Sequence, residues 1–484
     1  MKKTRILSLI LAFLMTASSL IACSESPAQE SESQADVSAV ESASDSASET
    51  EAEGDSGTHY YNDIEAEDFE GWTFGIASYS SPASSLVDYF TVEDITGDEF
   101  NDSLYNREIA VEDKFNIEIV DKYNSNVVQE ITKSVTAGTG DFAIGDELME
   151  FATGLASSKV ILPLTDLELN LDNPYWDQGA NETLTINGRM YYGLSDITFD
   201  HYESCAVLFY NGFHLTNNGI DKSPNDLYLE GKWTMDEMKK MMETVARDID
   251  GNGSMEEGTD IFGLSGRILR CQPTLASCGT DIIVYDESKQ AYVYDMTSDG
   301  IVAIGDKLRE IMYDDNLSLM EGDAQLEFIE GRTLFDSHLL GDYRSYREKE
   351  DDYGIISWPS LEENTDGWVY VRNPLCIFAA ADTKDTHRLS VIIEAIAAYS
   401  YDYVIDNYIN KAVVGKGARD KDSADFIRDM MGRRYYDILA AYGLVSVAGG
   451  WEKAVKGNTY ASTAKIGEKF FNTTISKTLD AYLD

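Results

Sequence analysis

The sequence predicts an α/β protein with mainly parallel sheets. Strand-like and helix-like patterns alternate from about Tyr60 to the end of the chain, which is how α/β layers are built. Residues 206–210 (AVLFY) form a continuous apolar run, as expected of a parallel strand covered on both faces. One helix start is explicit. Thr234 and Glu237 have capping-box spacing, with Trp233 and Met238 placed as a hydrophobic staple, so Trp233 is expected to pack rather than bind.

The remaining elements follow in chain order. Residues 72–77 read as a short strand. Phe100, Leu104, Val111 and Phe115 share a helix face, and residues 117–120 follow as a strand. Val128, Ile131 and Val135 mark another helix. Leu389, Ile392, Ile393, Ile396 and Tyr403 outline a longer one.

A secretory address precedes this body. Lys2, Lys3 and Arg5 lead into an apolar run that ends in Leu20-Ile21-Ala22-Cys23. Small and apolar residues before a cysteine match a bacterial lipobox. The expectation is a signal peptide over 1–22, cleavage before Cys23, and a lipid on its thiol that tethers the chain to the outer face of the cell membrane. The run is too short and ends too abruptly for a stable transmembrane helix. Residues 24–58 are mostly Ser, Glu, Ala and Asp, with no Lys, Arg or aromatic residue. Such a stretch buries too little apolar surface to fold and reads as an extended acidic spacer.

About 420 residues then remain, enough for two domains. The net charge is −48; losing residues 1–22 removes three cations and no anion, giving −51. A body this acidic repels nucleic acid and anionic lipid, so the expected ligand is neutral or cationic. Of five cysteines, Cys23 belongs to the lipobox. Cys205 and Cys376 sit in apolar runs as buried thiols. Cys271 and Cys278 are near enough in sequence to suggest a disulfide, and no zinc spacing is present.

Enzyme motifs are missing. There is no H-E-x-x-H, P-loop or G-x-G-x-x-G, and Gly263-Leu264-Ser265-Gly266 lacks nucleophile-elbow spacing. His59, His201, His214, His338 and His387 are scattered. Among 86 acidic residues any glycosidase pair could be drawn, so none is informative. One motif is specific. Asp248, Asp250, Asn252, Ser254 and Glu256 place oxygens at alternate positions with Gly253 at the sixth, as in the first part of an EF-hand loop. Thr259 stands where that loop carries a bidentate Glu, with Glu257 and Asp260 as substitutes. The expectation is a structural calcium; the alternative is a solvated turn closing the helix that begins at Thr234.

Taken together, the segments resemble the family 1 extracellular solute-binding proteins of bacterial ABC importers. Gly97-Asp98-Glu99-Phe100-Asn101-Asp102 with Tyr105 and Arg107 is similar to an early segment of that family. So are Asn187-Gly188-Arg189-Met190-Tyr191-Tyr192 before Val207-Leu208-Phe209-Tyr210-Asn211, and Gly231-Lys232-Trp233-Thr234 through the acidic loop to Phe262-Gly263-Leu264. Tyr353-Gly354-Ile355-Ile356-Ser357-Trp358-Pro359 and Lys416-Gly417-Ala418-Arg419-Asp420 complete the likeness, which runs from about Trp72 to Tyr442.

The resemblance implies a two-lobed, periplasmic-binding-protein-like fold of type II with a hinge and a ligand cleft. Lobe 1 would take residues 61–203 and about 360–415; lobe 2 would take 204–359 and about 416–484. The chain would cross near Ser204, Trp358 and Gly415. It also implies a monomeric, non-enzymatic receptor that closes over a small solute, most plausibly an oligosaccharide, and delivers it to permease subunits. Trp358, at a crossing, is the first candidate for stacking on sugar, against a core role under the hinge. Asp146, Glu147, Asp200, Tyr202 and Ser204 are the candidate polar contacts, and Trp176 is expected to pack on lobe 1. The alternatives are an exported glycan-active enzyme and a surface protein-interaction lipoprotein.

Overall fold

The computed structural model describes residues 59–481, apart from 81–89, 267–270, 287, 290, 315, 348, 366, 443 and 444. The signal peptide, Cys23 and nearly all of the acidic spacer therefore lie outside the described residues. The body from Thr58 onward forms one compact unit.

Two mixed sheets organise that unit. The first strands are β1 (Trp72–Tyr79), β2 (Ile117–Asn124), β3 (Ile144–Leu148), β4 (Ile161–Leu162) and β5 (Tyr192–Gly193). Next come β6 (Ala206–Asn211), β7 (Phe262–Ser265), the pair β8 (Ile283–Asp286) and β9 (Ala291–Tyr294), β10 (Thr333–Leu339) and β11 (Tyr353–Ile356). The last are β12 (Val369–Tyr370), β13 (Leu375–Ala380) and β14 (Arg434–Tyr435). Lobe 1 is the sheet β2-β1-β3-β13-β4, with β5 also on β13; lobe 2 is β11-β6-β10-β7.

The parallel expectation holds only in part. β1 runs parallel to β2 and β3, and β10 to β7. β6, the apolar run read as a parallel strand, is antiparallel to both β10 and β11. A strand buried on both faces is apolar throughout whatever its direction, so the pattern could not tell.

The helices match their patterns. In Glu99–Phe115 the Asp98 side chain caps the first turn, accepting from the amides of Phe100 and Asn101, and Leu104, Val111 and Phe115 are buried. In Met235–Val245, Thr234 accepts from the Glu237 amide at 3.4 Å, whereas the Glu237 carboxylate pairs with Lys240. Trp233 is buried as expected, its Nε1 donating to the Ser357 carbonyl at 2.9 Å. Trp176 is buried within lobe 1. Leu389, Ile392, Ile393 and Ile396 face the core from Thr386–Tyr399, which continues in widened π-type turns to Val414.

Cys271 and Cys278 do not form a disulfide. Cys271 opens the helix Cys271–Ser277 and Cys278 directly follows it. Seven helical steps separate them by about 10 Å, beyond the ~7 Å Cα limit for bridging.

The lobes join through a three-strand ribbon. Cys205 bridges Val371, the Val371 amide donates to the Tyr435 carbonyl at 2.9 Å, and β12 pairs with β14. Along the chain, the first sheet is left after β5 and the second is entered at β6. The first sheet is rejoined at β13, and Ser360, Asn364 and Trp368 before it bond to segments around the second sheet. There the Met235 amide donates to Ser360, Asn364 to Gly231 and Trp368 to Ala276. The C-terminal region touches segments of both sheets. Ala441, in the helix Ile438–Ala441, accepts from Thr153 of lobe 1, whereas helix Lys421–Met430 packs on β11.

Gly354 shows how tightly lobe 2 is packed. The Tyr210 ring lies across it, on the neighbouring strand, where a Cβ would sit. Gly354→Ala should therefore lower stability by about 1–3 kcal/mol in urea unfolding, the usual range for overpacking.

Candidate functional site

In an α/β sheet, ligands meet the loops at the carboxyl ends of parallel strands. On lobe 1 those ends are Tyr79 of β1 and Leu148 of β3, beside the start of β13. On lobe 2 they are Ser265 of β7 and Leu339 of β10, beside the start of β6. The ribbon of Cys205, Val371 and Tyr435 connects the two sheets next to these edges. Residues 81–89 and 267–270, next in sequence after β1 and β7, fall outside the described residues.

The residues singled out from sequence gather at these edges, but every one is buried. Asp146 accepts from the Tyr79 amide at 2.6 Å, tying β3 to β1. Glu147 accepts from the Leu148 amide, and burial pushes its carboxyl up to about 7. Asp200 accepts from the Leu375 amide at 2.6 Å and the Ser204 hydroxyl at 3.1 Å, fastening the first crossing to the second. Its carboxyl is also raised to about 7 by burial. The Tyr202 hydroxyl donates to Asp196 at 2.7 Å. Trp358 is only 3% exposed just after β11, and its Nε1 is buried with no hydrogen-bond partner among the described residues. As placed, Asp146, Tyr202 and Ser204 hydrogen-bond within the pivot, and Asp200 does so through Oδ2, its Oδ1 being buried without a partner among the described residues.

Sequence reasoning missed the centre of that pivot. Arg434 of β14 donates through Nε and Nη2 to the Asp177 carboxylate, which also accepts from the Tyr436 hydroxyl at 2.8 Å. The Tyr202 ring lies under the guanidinium, 4.4 Å away. Burial alone would raise the Asp177 carboxyl, but Arg434 holds it below the usual range. The next residue, Tyr435, points the other way and donates to Asp281 of lobe 2 at 2.6 Å. A second pair crosses the pivot: Arg344, in the turn after β10, forks onto Glu203, which also accepts from Tyr408 at 3.1 Å. On the lobe 2 edge, Asp336 accepts from Ser265 at 2.8 Å, and half-buried His338 sits 3.1 Å from Asp342. No local pattern marks these pairs; Arg434 and Asp177 are 257 residues apart.

Away from the pivot, the acidic loop is compact. Carboxylate oxygens of Asp248, Asp250 and Asp260 lie within 4.8 Å of one another. Asp248 accepts from the amides of Gly251 and Gly253, both at 2.7 Å, and those hydrogen bonds hold its carboxyl low. Asn252 accepts from the Ser254 amide at 2.7 Å. Buried Asp260 accepts from the amides of Ile249 and Glu256, so Glu256 contributes backbone to the loop. Glu257 instead accepts from the Asp323 amide. Of the two proposed substitutes for the twelfth-position Glu, Asp260 is the one that joins the cluster. An oxygen-only set of this kind fits a hard divalent cation.

No protein-family model matches the chain, and no curated protein sequence does. Solved structures match its fold. The sugar-binding protein MalE from Xanthomonas citri aligns with a TM-score of 0.58 at 11% identity, over 84% of this chain and 98% of that one. An ABC substrate-binding protein from Listeria monocytogenes in complex with cycloalternan aligns at 0.54 and 12%, over 84% and 100%. Maltose-bound MalE3 of T. maritima aligns at 0.51 and 16%, over 83% and 100%. The chain thus has the two-lobed α/β fold of family 1 extracellular solute-binding proteins. Among the described residues no helix is long and apolar enough to cross a membrane.

Two outcomes follow from the pivot. Asp177→Asn strands the buried Arg434 charge and should cost about 3–5 kcal/mol in denaturant unfolding. The raised carboxyls set a pH dependence of known sign. Glu147 moves from 4.5 to about 7, so the folded state holds a proton that the unfolded chain releases. Its contribution is complete below the unfolded value and lost as pH rises through about 7. Melting temperature should therefore fall between pH 5 and 7.5, and Glu147→Gln should flatten that fall.

Proposed function

We propose that the chain is a lipid-anchored extracellular receptor that binds an oligosaccharide between its lobes and presents it to an ABC import permease. The observation that supports this reading is the architecture at the pivot: two sheets connected by a short-strand ribbon, in a fold shared with solved sugar-binding proteins. A solute touching both lobes favours the closed form by its differential affinity, a hinge-type population shift. The residues of the ribbon hold the axis, and the loops at the strand ends supply the contacts.

The solute class is supported by the fold shared with a cycloalternan complex and a maltose complex. It is also in keeping with an acidic body that favours a neutral ligand. Binding without turnover is the reading, since no nucleophile or metal-hydrolase motif occurs in the sequence. Cys23 is the proposed lipid attachment site. The loop at Asp248, Asp250 and Asp260 is proposed to hold calcium in a structural role, pinning the end of helix Met235–Val245 to the start of β7.

Thermal unfolding of the purified chain against mono- and oligosaccharides tests the receptor reading. A ligand at 100 times its dissociation constant should add about 2.7 kcal/mol. The expected result is a rise in melting temperature specific to one saccharide class, with no product released. A flat response across the panel would overturn the carbohydrate reading. For the loop, chelator should lower the melting temperature and calcium should restore it, with Asp248→Asn insensitive to both.

A further inference from the structure

A groove of about 460 Å³ lies against the β14 side of the hinge ribbon. Its volume falls within the ~300–1,000 Å³ typical of small-molecule sites. None of its lining residues belongs to the carboxyl ends of β1, β3, β7 or β10. One wall is Glu182 and Thr183, on the lobe 1 helix Gln178–Leu184. The facing wall is Tyr285 and Tyr292, on the β8–β9 hairpin, and Trp368 flanks it.

The chemistry of this lining is selective. Tyr285 is 47% exposed and Trp368 45%, whereas the other tryptophans are buried or half-buried. Tyr285 and Tyr292 meet edge to face at 5.2 Å rather than as a closed stack, so an aromatic face remains open. The charges in the floor are already committed: Arg434 to Asp177, and Asp281 to the Tyr435 hydroxyl. What remains for a ligand is apolar ring surface, the exposed Glu182 carboxylate at the mouth and the lone pairs of Thr183. Flat apolar faces beside a carboxylate and a hydroxyl suit a ring with one C–H face and a rim of hydroxyl donors.

We propose that this groove is a second saccharide site, outside the interlobe cleft, holding a short run of neutral pyranose units. Tyr285 and Trp368 are its platforms, and Glu182 accepts from the ring hydroxyls. Glu182 rides on lobe 1 and Tyr285 on lobe 2, so occupancy of the groove and closure of the cleft influence one another reciprocally. The proposal does not rest on the cleft binding sugar.

The test titrates the full chain with gluco-, galacto-, manno- and xylo-oligosaccharides, from mono- to tetrasaccharide, with indole as an apolar control. Tryptophan emission and calorimetry are read in wild type, Trp368→Phe, Tyr285→Ala and Glu182→Gln. The substituted side chains all reach solvent, and circular dichroism and melting temperature check that each variant folds. The expected result is a saccharide whose binding changes the emission in wild type but not in Trp368→Phe. Tyr285→Ala should weaken it about tenfold, equal to ~1.4 kcal/mol, and Glu182→Gln should weaken it severalfold. A binding event in the cleft would persist in all three variants, shifted at most by the coupling, so failure of that reading would show as absence of the Tyr285-independent event alone. The groove proposal is overturned if no saccharide in the panel shows binding that depends on Tyr285 and Glu182, or if only indole binds.

Discussion

The molecule is hung on one buried ion pair. Arg434 and Asp177 meet at the pivot with almost no solvent around them, and two full charges in that setting are costly unless every donor and acceptor is used. Here they are. Asp177 takes Arg434, the Tyr436 hydroxyl and the Ala180 amide at the start of its own helix, and Tyr202 covers the guanidinium. The pair seats β14 against lobe 1. Strand alternation then sends the next side chain, Tyr435, to Asp281 of lobe 2. Consecutive residues thus bond to opposite sides of the ribbon.

The pivot gathers carboxylates, as an acidic chain must somewhere, and gives each a different means of surviving burial. Asp177 is paired with a cation. Glu203 is forked by Arg344. Asp196 and Asp281 each take a tyrosine hydroxyl, and Asp200 takes a backbone amide. The last three are pushed towards neutrality by burial, to about 7, 6 and 7 respectively. Networks of this kind specify geometry because a half-satisfied member is worse than none. That suits a joint, which must bend along one path and resist the others.

Function in such a fold sits in loops carried by rigid edges, so the same lobes can host many ligands. Burial of Trp358, Asp146 and Asp200 follows from that division of labour. Asp146 and Asp200 accept from the Tyr79 and Leu375 amides, whereas Asp200 Oδ1 and Trp358 Nε1 are buried with no hydrogen-bond partner among the described residues.

The sequence by itself determined what depends on neighbours along the chain. The face of Leu104, Val111 and Phe115, the Thr234 cap and the packing of Trp233 were all legible, because helical period, capping and apolar runs are local. The acidic loop was legible too, except for which carboxylate completes it. Asp260 rather than Glu257 joins Asp248 and Asp250 because Glu257 is drawn to the Asp323 amide of a distant segment. Only the tertiary structure decided the direction of β6, the buried state of the candidate cleft residues and the Arg434–Asp177 pair. Each depends on which segments meet after long loops close, and a charged residue in sequence looks the same whether it meets water or a partner 257 residues away.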